Sequence, residues 1–336
     1  MLRRLSWLEH SLLLLSAVTL LLPMSCFSQA DANGPIKVGI IGLDTSHVIA
    51  FTEDLNDPSN KDHVAGLQVV AAYKGGSPEV ESSWSRVDKF TAELRDKWKI
   101  EIVNDIPTLC SKVDAVLLES VDGRKHLEQV KPVFAAHKPV FIDKPMAGSY
   151  KDGKEIAELG KAAGVPWFTA SSNRFWEETE RLKNPQGIGH FLAFDVLGVT
   201  SREPHVPALF WYGVHAVEML YQLMGPGCDS VTMQVSGNQD VVVGKWKDGR
   251  LGVIRGFSSG LYAFSITVYG DKGVLHSEQK PETYRALLTE IAKFFKTGIA
   301  PIDPNESLEI LAFMEAADLS KARGGVAVPL TEIMSK

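Results

Sequence analysis

Residues 139–145 read Pro139-Val140-Phe141-Ile142-Asp143-Lys144-Pro145. The apolar run is long enough for a buried strand and too short for a buried helix. Proline cannot donate to a strand ladder, so the strand has to stop at Pro145. It ends by presenting an ammonium at its carboxyl edge, where open α/β sheets bind their ligands. Lys144 is therefore either a surface lysine that follows a strand or a cation set beside a ligand.

The flanking pattern places this strand in a parallel sheet. Residues 36–41 form an apolar strand that runs into Gly42-Leu43-Asp44-Thr45-Ser46-His47. Residues 67–73 make a second strand between Gly66 and Gly75-Gly76, 92–98 belong to a helix, 115–118 make a third strand and 127–136 a helix. Residues 140–142 are the core of a fourth strand, 153–163 a helix that stops at Gly164, and 166–170 a fifth strand. Strands alternating with helices give a parallel sheet with right-handed crossovers. After Arg174 the pattern changes. Residues 191–199, 230–235, 240–246, 252–257, 263–269 and 274–276 read as strands, several joined by turns such as Lys247-Asp248-Gly249. A helix over 213–224 interrupts them. Two more close the chain, with Leu287, Ile291 and Phe294 on one face of the first and Leu308, Leu311 and Ala312 on one face of the second. The fold class is α/β. A Rossmann-like, doubly wound parallel sheet spans 35–172, and an α+β domain with an open, mostly antiparallel sheet spans 173–336.

Composition is that of a globular protein, 45% hydrophobic and 23% charged, and a net charge of -6 argues against a nucleic-acid partner. The first thirty residues stand apart. Arg3-Arg4, an apolar run over 11–22 closed by Pro23, and Ser28-Gln29-Ala30 have the layout of a secretory signal peptide over 1–30. Export to the periplasm or the exterior is expected, with no stable membrane insertion after processing. Pro23-Met24-Ser25 before Cys26 is a poor lipid-attachment context. Cys110 and Cys228 fit no metal spacing. A disulfide is open to them, and two buried free thiols are the expectation.

The order of motifs resembles the Gfo/Idh/MocA family, named for glucose–fructose oxidoreductase and inositol dehydrogenase, over nearly the whole mature chain. The resemblance rests on Val38-Gly39-Ile40-Ile41-Gly42, on Asp114-Ala115-Val116 with His126 downstream, and on Asp143-Lys144-Pro145, similar to the family's Glu-Lys-Pro. It rests also on Gly213-Val214-His215-Ala216-Val217-Glu218, similar to Gly-x-His-x-x-Asp, on Gly270-Asp271-Lys272-Gly273, and on Val326-Ala327-Val328-Pro329-Leu330 after the closing helices. The resemblance implies a first domain that binds NAD or NADP and a second whose open sheet covers a sugar, cyclitol or related polyol and often makes a dimer face. It implies Lys144 as the cation beside the reacting oxygen and His215 as the base. Many members carry an aspartate four residues before that histidine; here the position is Trp211.

The residues themselves set conditions on that reading. A dinucleotide loop needs glycines for its tight turn, for close approach to pyrophosphate and for helix packing. Of positions 42, 44 and 47 only Gly42 is glycine; Asp44 and His47 replace the others, with Thr45 and Ser46 between them. A carboxylate at 44 facing pyrophosphate costs roughly 1 to 4 kcal/mol for each like-charge pair. One of Asp44, Thr45 and Ser46 is expected to cap the following helix. Lys74 stands where an acid would hold the adenosine ribose; a lysine cannot accept those hydrogen bonds but could pair with the 2′-phosphate of NADP. Ser120, His126 and Asp143 complete the candidate cofactor set with Lys144. Asn173, Arg174, His205, Trp211, Tyr212 and Glu218 are candidates for the substrate; Glu218 shares a helix face with His215. Asp44, His47, His126, Glu203, His205 and His215 could each ligate a metal, but their spacing makes no ligand motif, so none is expected. Three readings stay open: an oxidoreductase, a cofactor-independent carbohydrate lyase, hydrolase or epimerase on the same scaffold, and a non-catalytic carbohydrate-binding protein. In each the partner is a small carbohydrate, and the open second sheet favours a homo-oligomer.

Overall fold

Alternation of side chains along the first strands builds two apolar faces. In β1 (Ile36–Ile41), Val38 and Ile40 enter one core and Ile41 the other. The same division repeats in β2 (Leu67–Tyr73), in β4 (Ala115–Leu118), where Ala115 and Leu117 oppose Val116 and Leu118, and in β5 (Val140–Asp143), where Phe141 opposes Val140 and Ile142. With β3 (Glu101–Val103) and β6 (Trp167–Ala170) these strands form one parallel sheet in the order β3-β2-β1-β4-β5-β6. The computed structural model describes residues 34–183, 186–279 and 283–335. The leader read at 1–30 lies outside the described residues.

Helices α1 (His47–Asn56) and α2 (Glu81–Asp96) cover one face; α3 (Ile106–Lys112), α4 (His126–Ala135) and α5 (Tyr150–Ala163) cover the other. The caps follow local chemistry. Asp105 accepts from the Thr108 amide, Ser149 accepts from the Asp152 amide, and α5 ends at Gly164 with φ 64°. The run at 115–118, expected as the third strand, is the fourth. Glu101–Val103 is an edge strand of 3 residues, too short to show a period.

After the short α6 (Glu177–Arg181) comes a seven-stranded mixed sheet. Its strands are β7 (Phe191–Val199), β8 (Cys228–Ser236), β9 (Gln239–Trp246), β10 (Leu251–Phe257), β11 (Phe264–Gly270), β12 (Gly273–Gln279) and β13 (Val328–Pro329), in the order β12-β11-β7-β10-β9-β8-β13. Only β7 and β10 pair in parallel, as the long excursion between them allows. A π-helical turn, Leu209–Gly213, leads into α7 (Val214–Met224), which is buried nearly all round under the sheet. The closing helices divide their work. α9 (Pro304–Ala322) packs on the second sheet, and α10 (Leu330–Met334) beside it. α8 (Arg285–Thr297) returns to the first domain, where Leu287, Leu288, Ile291 and Phe294 join the core of Val38, Phe141 and Phe168. The Phe168 and Phe294 ring centroids lie 5.0 Å apart. Cys110 and Cys228 are buried free thiols.

Gly42 fixes how the sheet ends at its switch point. Its φ is +89°, and a Cβ there would stand 2.2 Å from Ser120 Oγ and 2.5 Å from the Ser120 backbone. The strained dihedral and the overlap reinforce each other. Gly42→Ala is expected to cost about 3 kcal/mol or more, read as a fall in the urea midpoint at unchanged slope. A loss under about 1 kcal/mol would mean the β4 exit yields easily.

Candidate active site

The strand order reverses between β1 and β4, so their exits splay apart and leave a crevice at the carboxyl edge. A cavity of about 530 Å³ opens there, between the two domains. From the first domain it is lined by Thr45, Ser46, His47, Ser82, Arg86 and Lys144. From the second domain and the connecting segment come Asn173, Glu203, Trp211, Tyr212, His215, Tyr262 and Phe264, and Tyr284 closes it.

Lys144 arrives as the geometry of a strand end requires, one residue beyond β5, and is 7% exposed. His215 is the second residue of α7 and also 7% exposed. Its Nδ1 lies 2.7 Å from the Ser171 hydroxyl, which also accepts the Asn173 amide. When Nδ1 donates to Ser171, Nε2 is left free to accept a proton. Burial, then the charges of Lys144 and His47, hold the imidazole well below its ordinary range, so it is neutral at pH 7. Aromatic rings wall the space beside it. Tyr212 packs edge-on to His215 at 4.8 Å, and its hydroxyl meets that of Tyr262 at 2.7 Å.

Asp44 does not face the crevice. It is fully buried; Oδ2 accepts from Ser83 Oγ at 2.6 Å and Oδ1 from the Val121 amide at 3.0 Å. Burial raises its pKa. The expected repulsion of pyrophosphate by residue 44 is thereby corrected: the carboxylate is a tie between α2 and the β4 exit. Ser46 occupies the N-cap position of α1 without a capping bond, and the side-chain bond to this helix start comes from Thr45, whose Oγ1 accepts from the His47 amide at 3.4 Å. The Val48 amide of this first turn is taken by the Thr45 carbonyl, at 3.3 Å.

The remaining candidates divide sharply. Gly42 and Ser120 shape the crevice from beneath without lining it. Lys74 turns aside to Asp88 at 2.5 Å. His126 is a packing residue, fully buried with Nε2 2.8 Å from the Ser120 carbonyl and Nδ1 3.1 Å from the Met146 carbonyl. Burial lowers its pKa. His205 is exposed and pairs with Glu203 at 3.0 Å. Arg174 and Glu218 are not substrate ligands: Arg174 Nη1 donates to Glu218 at 2.9 Å and Nη2 to Glu306, so the guanidinium is consumed in a buried clamp.

Of the six residues weighed as metal ligands, only His47 joins a cluster of ligand atoms among the described residues, with Glu119 and Asp143. His47 Nδ1 lies 2.7 Å from Asp143 Oδ2 and 3.7 Å from Glu119 Oε2. Burial pulls the His47 pKa down, but the Asp143 charge and contacts with both carboxylates outweigh it and raise the value to about 9. Burial, then the charge of Asp143, pushes Glu119 up to about 7. Asp143 is held down at about 2, because the charges of His47 and Lys144 overcome its burial.

Sequence reasoning passed over Glu119, Arg86, Ser171, Tyr262 and Tyr284. Glu119 carried the best signal, as a carboxylate directly after an all-apolar strand of the parallel sheet. The others come together only through the fold.

The family model described as an oxidoreductase family with an NAD-binding Rossmann fold matches residues 36–171. The myo-inositol 2-dehydrogenase of Thermotoga maritima is 31% identical over 227 residues, 60% of this chain and 66% of that enzyme's own length. Among solved structures, the scyllo-inositol dehydrogenase of Lactobacillus casei with bound NAD(H) and scyllo-inositol superposes with a TM-score of 0.72 at 15% identity, covering 88% of this chain and 99% of that one. GenD2 from gentamicin A biosynthesis, in complex with NAD, gives a TM-score of 0.72 at 15% identity, covering 88% and 96%. These two likenesses speak for the fold.

Proposed function

Since the chain belongs to the Gfo/Idh/MocA oxidoreductase family, whose first domain is an NAD-binding Rossmann fold, we propose that it is an NAD(P)-dependent oxidoreductase acting on a cyclitol or sugar-like polyol. The observation that carries this reading is the convergence of Lys144 and His215 on one crevice at the switch point of the parallel sheet. Residues for the cofactor are in place. The Thr45 and Ser46 hydroxyls and the Arg86 guanidinium suit a diphosphate, and Asp44 is turned away from it. When bound, the nicotinamide supplies the hydride acceptor or donor.

His215 accepts the hydroxyl proton of the carbinol through its free nitrogen, oriented by Ser171. Lys144 offsets the negative charge that develops on the same oxygen. Trp211, Tyr212 and Tyr262 supply apolar faces for a ring that carries hydroxyls at its edge, and Asn173 supplies hydrogen bonds.

Titration of the purified chain with NADH and NADPH, followed by nicotinamide fluorescence, tests the cofactor half; oxidation of a panel of inositols and hexoses tests the other. Arg86→Ala is expected to weaken dinucleotide affinity roughly tenfold, about 1.4 kcal/mol, with the fold unchanged. Absence of dinucleotide binding in the parent protein would sink this reading. The reading extends to export through a leader at 1–30, checked by the N-terminus of protein recovered from the native cell envelope. It extends also to self-association through the outer face of the second sheet, where Leu197, Val241, Val243, Leu251 and Val253 are incompletely buried.

A further inference from the structure

We propose that His47, Glu119 and Asp143 form a binding site for one divalent metal ion of the manganese, iron or zinc class. Each comes from the end of a different element: His47 opens α1, Glu119 follows β4, and Asp143 ends β5. Their ligand atoms lie within 4.8 Å of one another, and the residues are 7%, 0% and 1% exposed. Buried polar atoms nearly always find partners, yet both oxygens of Glu119, both of Asp143 and Nδ1 of His47 have none in hydrogen-bond geometry. The 2.7 Å approach of His47 to Asp143 is a contact whose N–H is turned off the line to the oxygen. Among the described residues, the ion-pair partner of both carboxylates is His47.

An ion takes one ligand atom from each of the three residues. Around a tetrahedral metal at about 2.0–2.2 Å, donor atoms stand about 3.3–3.6 Å from one another, between the 2.7 Å and 3.7 Å separations found here. Imidazole favours zinc and iron, and carboxylate oxygens favour manganese. Three protein ligands leave a coordination position open. His47 is the member of the set that lines the crevice.

This inference goes beyond hydride transfer and is read without dinucleotide or substrate, so either can fail alone. The chelator-stripped full chain is titrated with Mn²⁺, the free ion being followed by its paramagnetic resonance signal, and with Co²⁺, followed by ligand-field absorption. One ion per chain is expected, with affinity falling more than tenfold in Glu119→Gln and in Asp143→Asn. X-ray absorption on the Co²⁺-loaded parent protein covers the case in which a variant fails to fold; it is expected to show mixed nitrogen and oxygen ligation with an imidazole signature. Absence of binding at millimolar ion, unchanged affinity in folded Glu119→Gln, or a shell of oxygens alone would each overturn the proposal.

Discussion

Lys144→Ala lowers kcat roughly 100- to 1,000-fold, the range for loss of one charged stabiliser of a developing oxyanion. His215→Ala lowers it by roughly 100- to 10,000-fold, the range for a general base. Both follow from the crevice that the two side chains share. The variants separate in their pH dependence and in KM. Lys144 acts on charge that exists only as the bond to hydrogen breaks, so its loss falls on kcat more than on KM. His215 is held neutral by burial and by nearby cations, so the parent rate does not fall from loss of the neutral base until the pH is well below 6.5, the ordinary histidine value. In His215→Ala that acid limb disappears, and the residual rate rises with hydroxide. The two losses combine to less than their product, because both groups serve one oxygen. Steady-state NAD(P)H formation with a responsive polyol measures all of this, with circular dichroism as the control for folding. Parent-like turnover in either folded variant removes that residue from the chemistry.

The fold was legible because its signals are local. Runs such as 115–118 and 140–142 are apolar on both faces, and only a sheet covered by helices on both sides uses such strands. What escaped was short or tertiary. Glu101–Val103 has too few residues to carry a period. The start of α7 was read at 213, whereas the chain first makes the wider turn Leu209–Gly213, which sets Trp211 and Tyr212 against the crevice. α8 has an apolar stripe that says it packs somewhere, but nothing in the stripe says it packs against Phe168 of the other domain.

The site was legible to the extent that one motif carries one role. Lys144 is announced by the proline after it and His215 by its place early in an apolar helix. Orientation was not legible. Asp44 reads as a charge in a phosphate loop, yet Ser83 and the Val121 amide, 39 and 77 residues away in the chain, turn it inward. Glu119 reads as the polar end of a strand until His47 and Asp143 arrive beside it. Spacing along a chain reports which residues share a helix face or strand edge; it does not report which loops the topology folds onto one another.

Arg174 shows the same limit with a larger energetic consequence. The residue is 4% exposed, and its guanidinium divides its donors between Glu218, 44 residues away, and Glu306, 132 residues away. The clamp ties the segment after β6 to α7 and α9, and it sits one helical turn from His215. Arg174→Met is expected to destabilise the chain by about 3–5 kcal/mol, because removing one member strands a buried charge. Arg174→Met/Glu218→Met is expected to recover part of that loss, since an apolar pair of similar volume often replaces a buried ion pair at little cost. The pH dependence has a definite sign. Burial raises the Glu218 pKa from 4.5 to about 6, against the opposing pull of Arg174 and with a further push from Glu306. The folded protein thus holds this proton more tightly than the unfolded chain. The associated stability is fully present below pH 4.5 and lost as the pH rises through about 6. Without the cation the folded pKa moves higher still, so Arg174→Met loses stability over a window that extends further upward. The variant is therefore expected to approach the parent near pH 5 and to fall away from it toward pH 8. Urea unfolding at a series of pH values measures the gap; a gap that is constant across the series would show that Glu218 does not carry the uncompensated charge.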